Sequence, residues 1–299
     1  MHVPQRAVRR ASLLLAAIIL TMLCASWARA ASFDGLVVFG DSLSDTGNVG
    51  RFSDGPLWVE FIADRLGVDL RPSRLGGTNY ATAGAHTHGG PADVRAQVHA
   101  FLAAQGEGGG VPASALYIVY AGANNLLAGG CGAGRDAAAR TAAAALHASI
   151  EDLATAGARY VVVPNLPDLG LTPVARERGA ACAREFHRLT MLFNAALEEG
   201  LESLEAGHPL TVMRLNVFAL SRSLVAGDRS GQPTAFDNVT RPCLDDQLAD
   251  GRNEERERAC AGSLFWDHLH PSSAAHRLLA EATLAILGLP DAPLGFSPQ

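Results

Sequence analysis

The segment Leu36–Asn48, with the sequence LVVFGDSLSDTGN, joins a short apolar run to a polar turn. Leu36–Phe39 is apolar without alternation, as is typical of a strand in a parallel sheet that is covered on both faces. Ser42 follows directly, so its hydroxyl is expected at the carboxyl edge of the sheet, where α/β proteins bind ligands. Such a polar run predicts by itself only a turn. The G-x-S-x-G nucleophile elbow is not matched, because Ser44 stands where its second glycine should be.

The alternation of apolar runs with helical patterns continues along the chain. Further strands are predicted at Leu116–Tyr120, Tyr160–Val163 and Leu210–Leu215, with a fifth near Thr78–Thr82. Helical patterns are predicted around Leu57–Leu66, over Ala137–Leu153 and Phe186–Leu204, and after Pro271, where Leu278, Ala282 and Ile286 are expected to face inward. We therefore expect an α/β fold, a flavodoxin-like three-layer α/β/α arrangement around a parallel sheet of about five strands.

The first thirty residues have the pattern of an export signal. Arg6, Arg9 and Arg10 precede an uncharged apolar run that ends near Trp27, and Ala28-Arg29-Ala30 resembles a cleavage site. We expect residues 1–30 to be a cleaved signal peptide and 31–299 to form a single domain that is secreted or periplasmic. A membrane anchor and a lipoprotein are the weaker alternatives.

Composition excludes several classes of function. The formal charge is −6, and loss of the leader, with four arginines and no acidic residue, takes it to −10, which argues against nucleic-acid binding. All 24 basic residues are arginine, so neither a Walker-type phosphate loop nor a Schiff-base lysine is present.

Four cysteines remain after the leader, and an exported protein is expected to pair them. Three connectivities are possible, and our hypothesis is Cys131–Cys182 with Cys243–Cys260. The second bridge is expected because it would close the loop Leu244–Ala259, which is too acidic to pack into a core.

A second polar segment lies near the other end of the chain, at Phe265–Pro271. Pro271 keeps His270 out of helical backbone, and Asp267 is close enough in sequence to reach the imidazole. Ser42, Asp267 and His270 thus occur in an order that suits a catalytic triad. Each also has a plainer interpretation as a turn or capping residue.

Two segments in the middle of the chain each follow a predicted strand, so they are expected at the same carboxyl edge of the sheet as Ser42. Gly84 lies in Asn79–Ala85, and Asn124 lies in Gly122–Leu126. A glycine N–H and an asparagine amide are the donors that an oxyanion hole requires.

At these residues the chain resembles the GDSL family of lipases and esterases, also called SGNH hydrolases. Four blocks occur in order, GDSLSDTGN, NYATAGA, GANNL and DHLHP, and Val163–Gly170 (VPNLPDLG) is similar to a further family segment. The resemblance implies Ser42 as nucleophile, His270 as general base and Asp267 as its orienting acid. It also implies an oxyanion hole of the Ser42 and Gly84 N–H groups with the Asn124 side chain. Most members carry aspartate where this chain has Asn125.

The implied function is hydrolysis of carboxylic esters, whether lipid, lysophospholipid or short-chain, through an acyl-enzyme, with no cofactor, no metal and transient contact with lipid surfaces. An acyltransferase using the same triad stays open. From other classes, a flavodoxin-like binding module would use the Ser42–Asn48 turn. A metal enzyme would use His86 and His88 or the cluster of Asp267, His268 and His270.

Overall fold

The computed structural model describes residues 33–106, 110–230, 235–244 and 260–289. The predicted signal peptide and the acidic stretch 245–259 lie outside the described residues. The strands, in chain order, are β1 Leu36–Gly40, β2 Leu116–Tyr120, β3 Tyr160–Pro164, β4 Thr211–Leu215, β5 Asn238–Pro242 and β6 Ser263–Phe265. The helices are α1 Trp58–Leu66, α2 Val94–Ala104, α3 Ala123–Ala128, α4 Asp136–Thr155, α5 Pro173–Glu177, α6 Ala180–Gly207, α7 Val217–Ser230 and α8 Ser273–Ile286.

Strands β1 to β4 form a parallel sheet in the order β1-β2-β3-β4. Leu36 pairs with Leu116, and Gly40 at the end of β1 pairs with Tyr120 at the end of β2. β1 and β2 are buried at every residue, which explains their continuous apolar sequence. The predicted parallel α/β fold is confirmed.

The predicted fifth strand is an irregular edge segment, so the sheet has four regular strands. Residues 78–82 run beside β1: Val38 N–H donates to Thr78 O at 3.1 Å, Tyr80 N–H to Val38 O at 2.7 Å, and Thr82 N–H to Gly40 O at 3.1 Å. Only Asn79 forms a regular bridge, to Val38, because the segment turns back on Arg71 and Pro72. The chain thus passes from β1 to one side and then to β2 on the other, and ligand sites in doubly wound sheets form at such switch points.

Two layers of helices cover the sheet. α1 packs against α8, whereas α2, α4 and α6 pack side by side in chain order. The expected inward face of the last helix is wrong by one position: Ala275, Leu279 and Thr283 are buried, and Ile286 is 41% exposed. The helix starts at Ser273, with Ser272 as its cap, two residues later than Pro271 suggested.

A smaller apolar cluster lies apart from the main core, between α7, the two-stranded sheet β5–β6 and the start of α8. Its buried members are Val225, Phe236, Val239, Leu264, Phe265 and Ala275. Both predicted disulfides are present: Cys131–Cys182 joins the segment after α3 to α6, and Cys243–Cys260 joins the end of β5 to the residues before β6. In the described part of the chain, no helix has both the length and the apolar character needed to span a bilayer.

Candidate active site

The structure brings Ser42, His270 and Asp267 into one hydrogen-bonded row. His270 Nε2 lies 2.8 Å from Ser42 Oγ, and His270 Nδ1 lies 2.7 Å from Asp267 Oδ2. With the carboxylate accepting at Nδ1, the free lone pair is on Nε2, facing the serine hydroxyl. Ser42 is 228 residues from His270 in sequence, so this contact depends on the tertiary fold.

The loop between β6 and α8 holds the acid and the base in a fixed relation. Asp267 Oδ1 accepts the N–H groups of Leu269 at 2.7 Å and His270 at 2.6 Å. Trp266 N–H donates to His270 O at 2.9 Å, which closes the turn. The Phe52 ring lies 5.0 Å from the imidazole, centroid to centroid, and covers one side of it. The imidazole therefore has little freedom to turn away from Ser42.

The electrostatics of Asp267 favour the carboxylate. Burial pushes its pKa upward, but the hydrogen bond and charge of His270, together with the two backbone N–H groups, outweigh this and leave the pKa below its usual value. An ionised Asp267 stabilises an imidazolium at His270.

Gly84 lies on the loop that follows the edge segment, with a φ of +79° that favours glycine. Asp45 ties this loop to the turn after β1. Its Oδ2 accepts Ala83 N–H at 2.8 Å and Val49 N–H at 3.0 Å, and its Oδ1 accepts Gly47 N–H at 2.8 Å and Asn48 N–H at 2.6 Å. The loop with Gly84 and the turn with Ser42 are thus joined through one buried carboxylate.

Asn124 lies in the first turn of α3, after the carboxyl end of β2. Its Nδ2 donates to Ala85 O at 2.9 Å, next to Gly84, which leaves the second amide hydrogen for a ligand. Gly122, with a φ of +128°, begins this helix, and a Cβ there would come within 2.5 Å of the Phe193 ring.

Asn125, the residue after Asn124, ties the start of α3 to the loop at Thr87. Asn125 Oδ1 accepts Thr87 N–H at 3.0 Å, a bond that needs an oxygen and no charge. An amide oxygen at this position is therefore sufficient to hold the Thr87 N–H.

Asp41 is a buried carboxylate directly before Ser42. Burial raises its pKa to about 6, although the Leu43 N–H and the nearby His270 act in the opposite direction. The Leu43 N–H lies 3.1 Å from Asp41 Oδ1. At neutral pH this group adds a second negative charge near the imidazole.

A cavity of about 910 Å³, open mouth included, extends from Ser42 and His270 into the protein. Residues 169–172, one face of α7, β6 and α8 form its walls, which are mainly leucine, valine and phenylalanine. Asn124 lines it as well.

The histidines weighed for a metal site do not come together. His268 pairs with Glu177 at 2.7 Å, and His88 lies 3.1 Å from Thr87 Oγ1. Within the described residues, no group of three or more His, Cys, Asp and Glu side chains is arranged to hold a metal ion.

Sequence reasoning assigned no role to Asp45, Phe52 or the α7 wall. The Asp45-x-Gly47 spacing of an Asx turn could have indicated the first. Phe52 and α7 carried no local signal, because their contacts with the site join distant parts of the chain.

The chain is similar in sequence to several known proteins. Lipase 1 of Photorhabdus luminescens is 30% identical over 251 residues, which cover 75% of this chain and 34% of that protein, so the chain spans about a third of its length. The phosphatidylcholine-sterol acyltransferase of Aeromonas hydrophila is 24% identical over 84% of this chain and 89% of that protein. A solved lipolytic G-D-S-L protein from Veillonella parvula is 17% identical, with a TM-score of 0.47, over 84% of this chain and 96% of that one.

The GDSL-like Lipase/Acylhydrolase family model matches residues 36–283. The match begins at the strand before Ser42 and ends in the helix that follows His270. Because it covers most of the chain, the protein belongs to the GDSL-like lipase and acylhydrolase family.

Proposed function

We propose that this protein is an exported serine hydrolase of carboxylic esters, with Ser42, His270 and Asp267 as its catalytic triad. The observation that carries the proposal is the unbroken row of contacts, 2.8 Å from Ser42 Oγ to His270 Nε2 and 2.7 Å from His270 Nδ1 to Asp267 Oδ2. A hydroxyl that shares its proton with an oriented imidazole is an activated nucleophile.

The reaction follows from these positions. Ser42 Oγ attacks the ester carbonyl while His270 Nε2 takes the hydroxyl proton, and Asp267 stabilises the imidazolium. The carbonyl oxygen becomes an oxyanion and accepts hydrogen bonds from the N–H groups of Ser42 and Gly84 and from Asn124 Nδ2. As the tetrahedral species collapses, His270 returns the proton to the leaving alcohol.

A water molecule then resolves the acyl-enzyme, with His270 again acting as base. An alcohol in place of water gives acyl transfer, and the likeness to the A. hydrophila acyltransferase makes this the second candidate. The two differ in the acceptor alone, so the rate of p-nitrophenol release with added alcohol, set against the yield of free acid, distinguishes them.

The experiment measures p-nitrophenyl butyrate hydrolysis by the full chain and by Ser42→Ala. We expect Ser42→Ala to lose at least a thousandfold in kcat, and Asn124→Ala to lose about 10²–10³-fold. Ser223→Ala on the exposed side of α7 is the matched control and should keep its activity.

Labelling with a fluorophosphonate, followed by peptide mass spectrometry, should modify Ser42 and no other serine. Full activity of Ser42→Ala, or a label on another residue, would refute the assignment.

Export rests on the leader pattern of residues 1–30 and is supported by the two disulfides, which persist in oxidising compartments. Sequencing of the secreted or periplasmic protein should find Ala31 at its N-terminus.

A further inference from the structure

The helix that carries Asn124 is too short to hold its own position. α3 spans Ala123–Ala128, and isolated helices of this length are not stable in water. At its front end, Asn124 Nδ2 donates to Ala85 O at 2.9 Å. Beside this bond, Asn125 Oδ1 accepts Thr87 N–H at 3.0 Å. The last carbonyl groups of a helix lack partners within it, so the other end of α3 needs a separate support.

Arg135 supplies that support through three hydrogen bonds from its guanidinium group. The side chain is half-buried and reaches back across the loop that joins α3 to α4. Nη2 donates to Asn125 O at 3.0 Å, and Nη1 donates to Leu126 O and, at 2.6 Å, to Gly130 O. One cation thus satisfies carbonyl oxygens at and just after the carboxyl end of α3, where the helix dipole also favours positive charge.

The residue after α3 leaves room for this guanidinium. A Cβ at Gly129 would lie 2.4 Å from Arg135 Cζ, so a side chain at this position would displace the group. The backbone of Gly129 has a φ of −88° and a ψ of 4°, a conformation that other residues also adopt in turns. The absence of a side chain therefore serves the close approach of Arg135 and not the conformation of the turn.

Arg135 is itself fixed by a long helix. It directly precedes α4, Asp136–Thr155, and its carbonyl oxygen accepts Ala139 N–H at 3.2 Å. α4 packs against α6 with a buried face of alanine, leucine and isoleucine side chains. The disulfide Cys131–Cys182 joins the loop between α3 and α4 to α6 as well. The position of the guanidinium is therefore set by the core of the protein and not by α3.

We propose that Arg135 is a positioning residue for the oxyanion hole, which holds α3 from behind so that the Asn124 amide donates to the oxyanion. The inference rests on the proposed function, in which Asn124 is one of three donors. Asn124 lines the cavity beside Ser42 and Arg135 does not, so Arg135 acts through α3 and not on the substrate. A misplacement of about 1 Å at a reacting group can cost about 10²-fold in rate, so a small rotation of α3 is enough to weaken the donor.

The test is a double-mutant cycle on p-nitrophenyl butyrate hydrolysis by the full chain, with the rate of Ser42→Ala subtracted. We expect Arg135→Ala to lower kcat by about tenfold, part of the roughly 10²–10³-fold that loss of a whole oxyanion donor costs. KM should change less than about threefold, because the bond forms in the transition state. With Asn124→Ala already present, Arg135→Ala should lower kcat by less than about threefold, since the donor it positions is gone. A residue that only stabilised the fold would produce the same loss in both backgrounds.

Further variants separate the position of the guanidinium from the stability of the fold. Gly129→Ala pushes the group aside without removing its charge, so it should reproduce the loss of kcat seen in Arg135→Ala, again only where Asn124 is present. Gly132→Ala lies in the same loop, and its Cβ meets nothing within 4 Å. Gly132→Ala and Arg140→Ala, the latter on the exposed side of α4, are the matched controls and should keep the kcat of the wild type.

The outcomes separate the two proposals. An unchanged kcat in either Arg135→Ala or Gly129→Ala, a loss confined to KM, or an equal loss with and without Asn124 overturns the positioning role and leaves the ester hydrolase intact. No hydrolysis by the full chain overturns the proposed function. If thermal melts show that Arg135→Ala does not fold, the cycle with Gly129→Ala decides by the same criteria, because its new methyl group meets the end of a flexible side chain and not the backbone.

Discussion

Asp41 and Asp45 are both buried in the turn after β1, and replacing each with asparagine should change stability in opposite directions. Asp41 is 2% exposed, and its carboxylate accepts the Leu43 N–H at 3.1 Å. Asp45 is fully buried and accepts four backbone N–H groups. The change from aspartate to asparagine therefore removes a poorly compensated buried charge at Asp41. At Asp45 the same substitution removes an oxygen that accepts backbone hydrogen bonds.

The magnitude for Asp41 follows from its pKa. Burial raises the pKa from 3.8 to about 6, so the folded protein holds the proton more tightly than the unfolded chain does. The free energy of unfolding consequently falls as pH rises from about 4 to 6 and stays lower above that range. A shift of this size corresponds to about 3 kcal/mol. The amide oxygen of an asparagine at this position would keep the bond to Leu43 N–H without this cost, so Asp41→Asn should stabilise the fold by up to about 3 kcal/mol at pH 8 and by much less at pH 4.

The magnitude for Asp45 follows from its hydrogen bonds. An asparagine has one acceptor oxygen, and its NH₂ group would face two N–H donors. Hydrogen bonds to charged groups contribute about 1.5–3 kcal/mol each, so Asp45→Asn should lose more than about 3 kcal/mol at pH 8.

The assay is urea unfolding with the disulfides intact, followed by tryptophan fluorescence at pH 4.5 and pH 8, for the wild type and both variants. The reasoning is refuted if the two variants shift the free energy of unfolding in the same direction at pH 8, or if the effect of Asp41→Asn is equal at the two pH values. Because ionised Asp41 lies near His270, Asp41→Asn should also lower kcat at pH 8, trading activity for stability.

Three further predictions concern the framework of the site. Gly122→Ala should destabilise the fold by more than about 1 kcal/mol and lower kcat, because the new Cβ, at the start of the helix that carries Asn124, would collide with the Phe193 ring. Gly132→Ala, whose Cβ meets nothing within 4 Å, is the control, and thermal melts compare the two variants. Replacing Cys131 and Cys182 together with serine should cost about 4 kcal/mol in urea unfolding, as expected for a bridge between residues 51 apart, and an unchanged midpoint would contradict this. Asp168→Ala should cost about 1–3 kcal/mol in urea unfolding, since it removes the shared acceptor of Arg222, His187 and Gly170 N–H; an unchanged midpoint would contradict that role.

The sequence predicted the regular part of the fold because burial on both faces leaves a local trace. β1 to β4 were predicted within two residues; β1 to β3 are mostly apolar runs, and in β4 the apolar residues outnumber Thr211 and Arg214. The segment 78–82 was also expected to be a strand, but its pairing with β1 is interrupted by the turn at residues 71–79, which depends on contacts that no local pattern encodes. The face of α8 was misjudged by one position because Leu278 and Leu279 are both apolar, and only the packing of the helix decides which of them faces the core.

The sequence also predicted only part of the candidate active site. Ser42, Gly84 and Asn124 follow strands, so their common edge could be expected from parallel topology alone. The contact between Asp267 and His270 could be predicted because the two residues are three positions apart in the sequence. The apolar cavity could not be predicted, because its walls come from parts of the chain that are far apart in sequence.

Asp267 and His270 follow a strand of the smaller apolar cluster, whereas Ser42 follows a strand of the larger one. β6 belongs to the cluster of Val225, Phe236 and Leu264, and the loop that follows it carries Asp267 and His270. Regions with fewer buried contacts open at lower free energy than the rest of a protein. On warming, the minor cluster should therefore loosen first and carry the imidazole away from a nucleophile that has not moved. The highest temperature at which the enzyme turns over is then set by the few side chains packed around β6. It lies below the melting temperature that far-UV circular dichroism reports for the whole molecule.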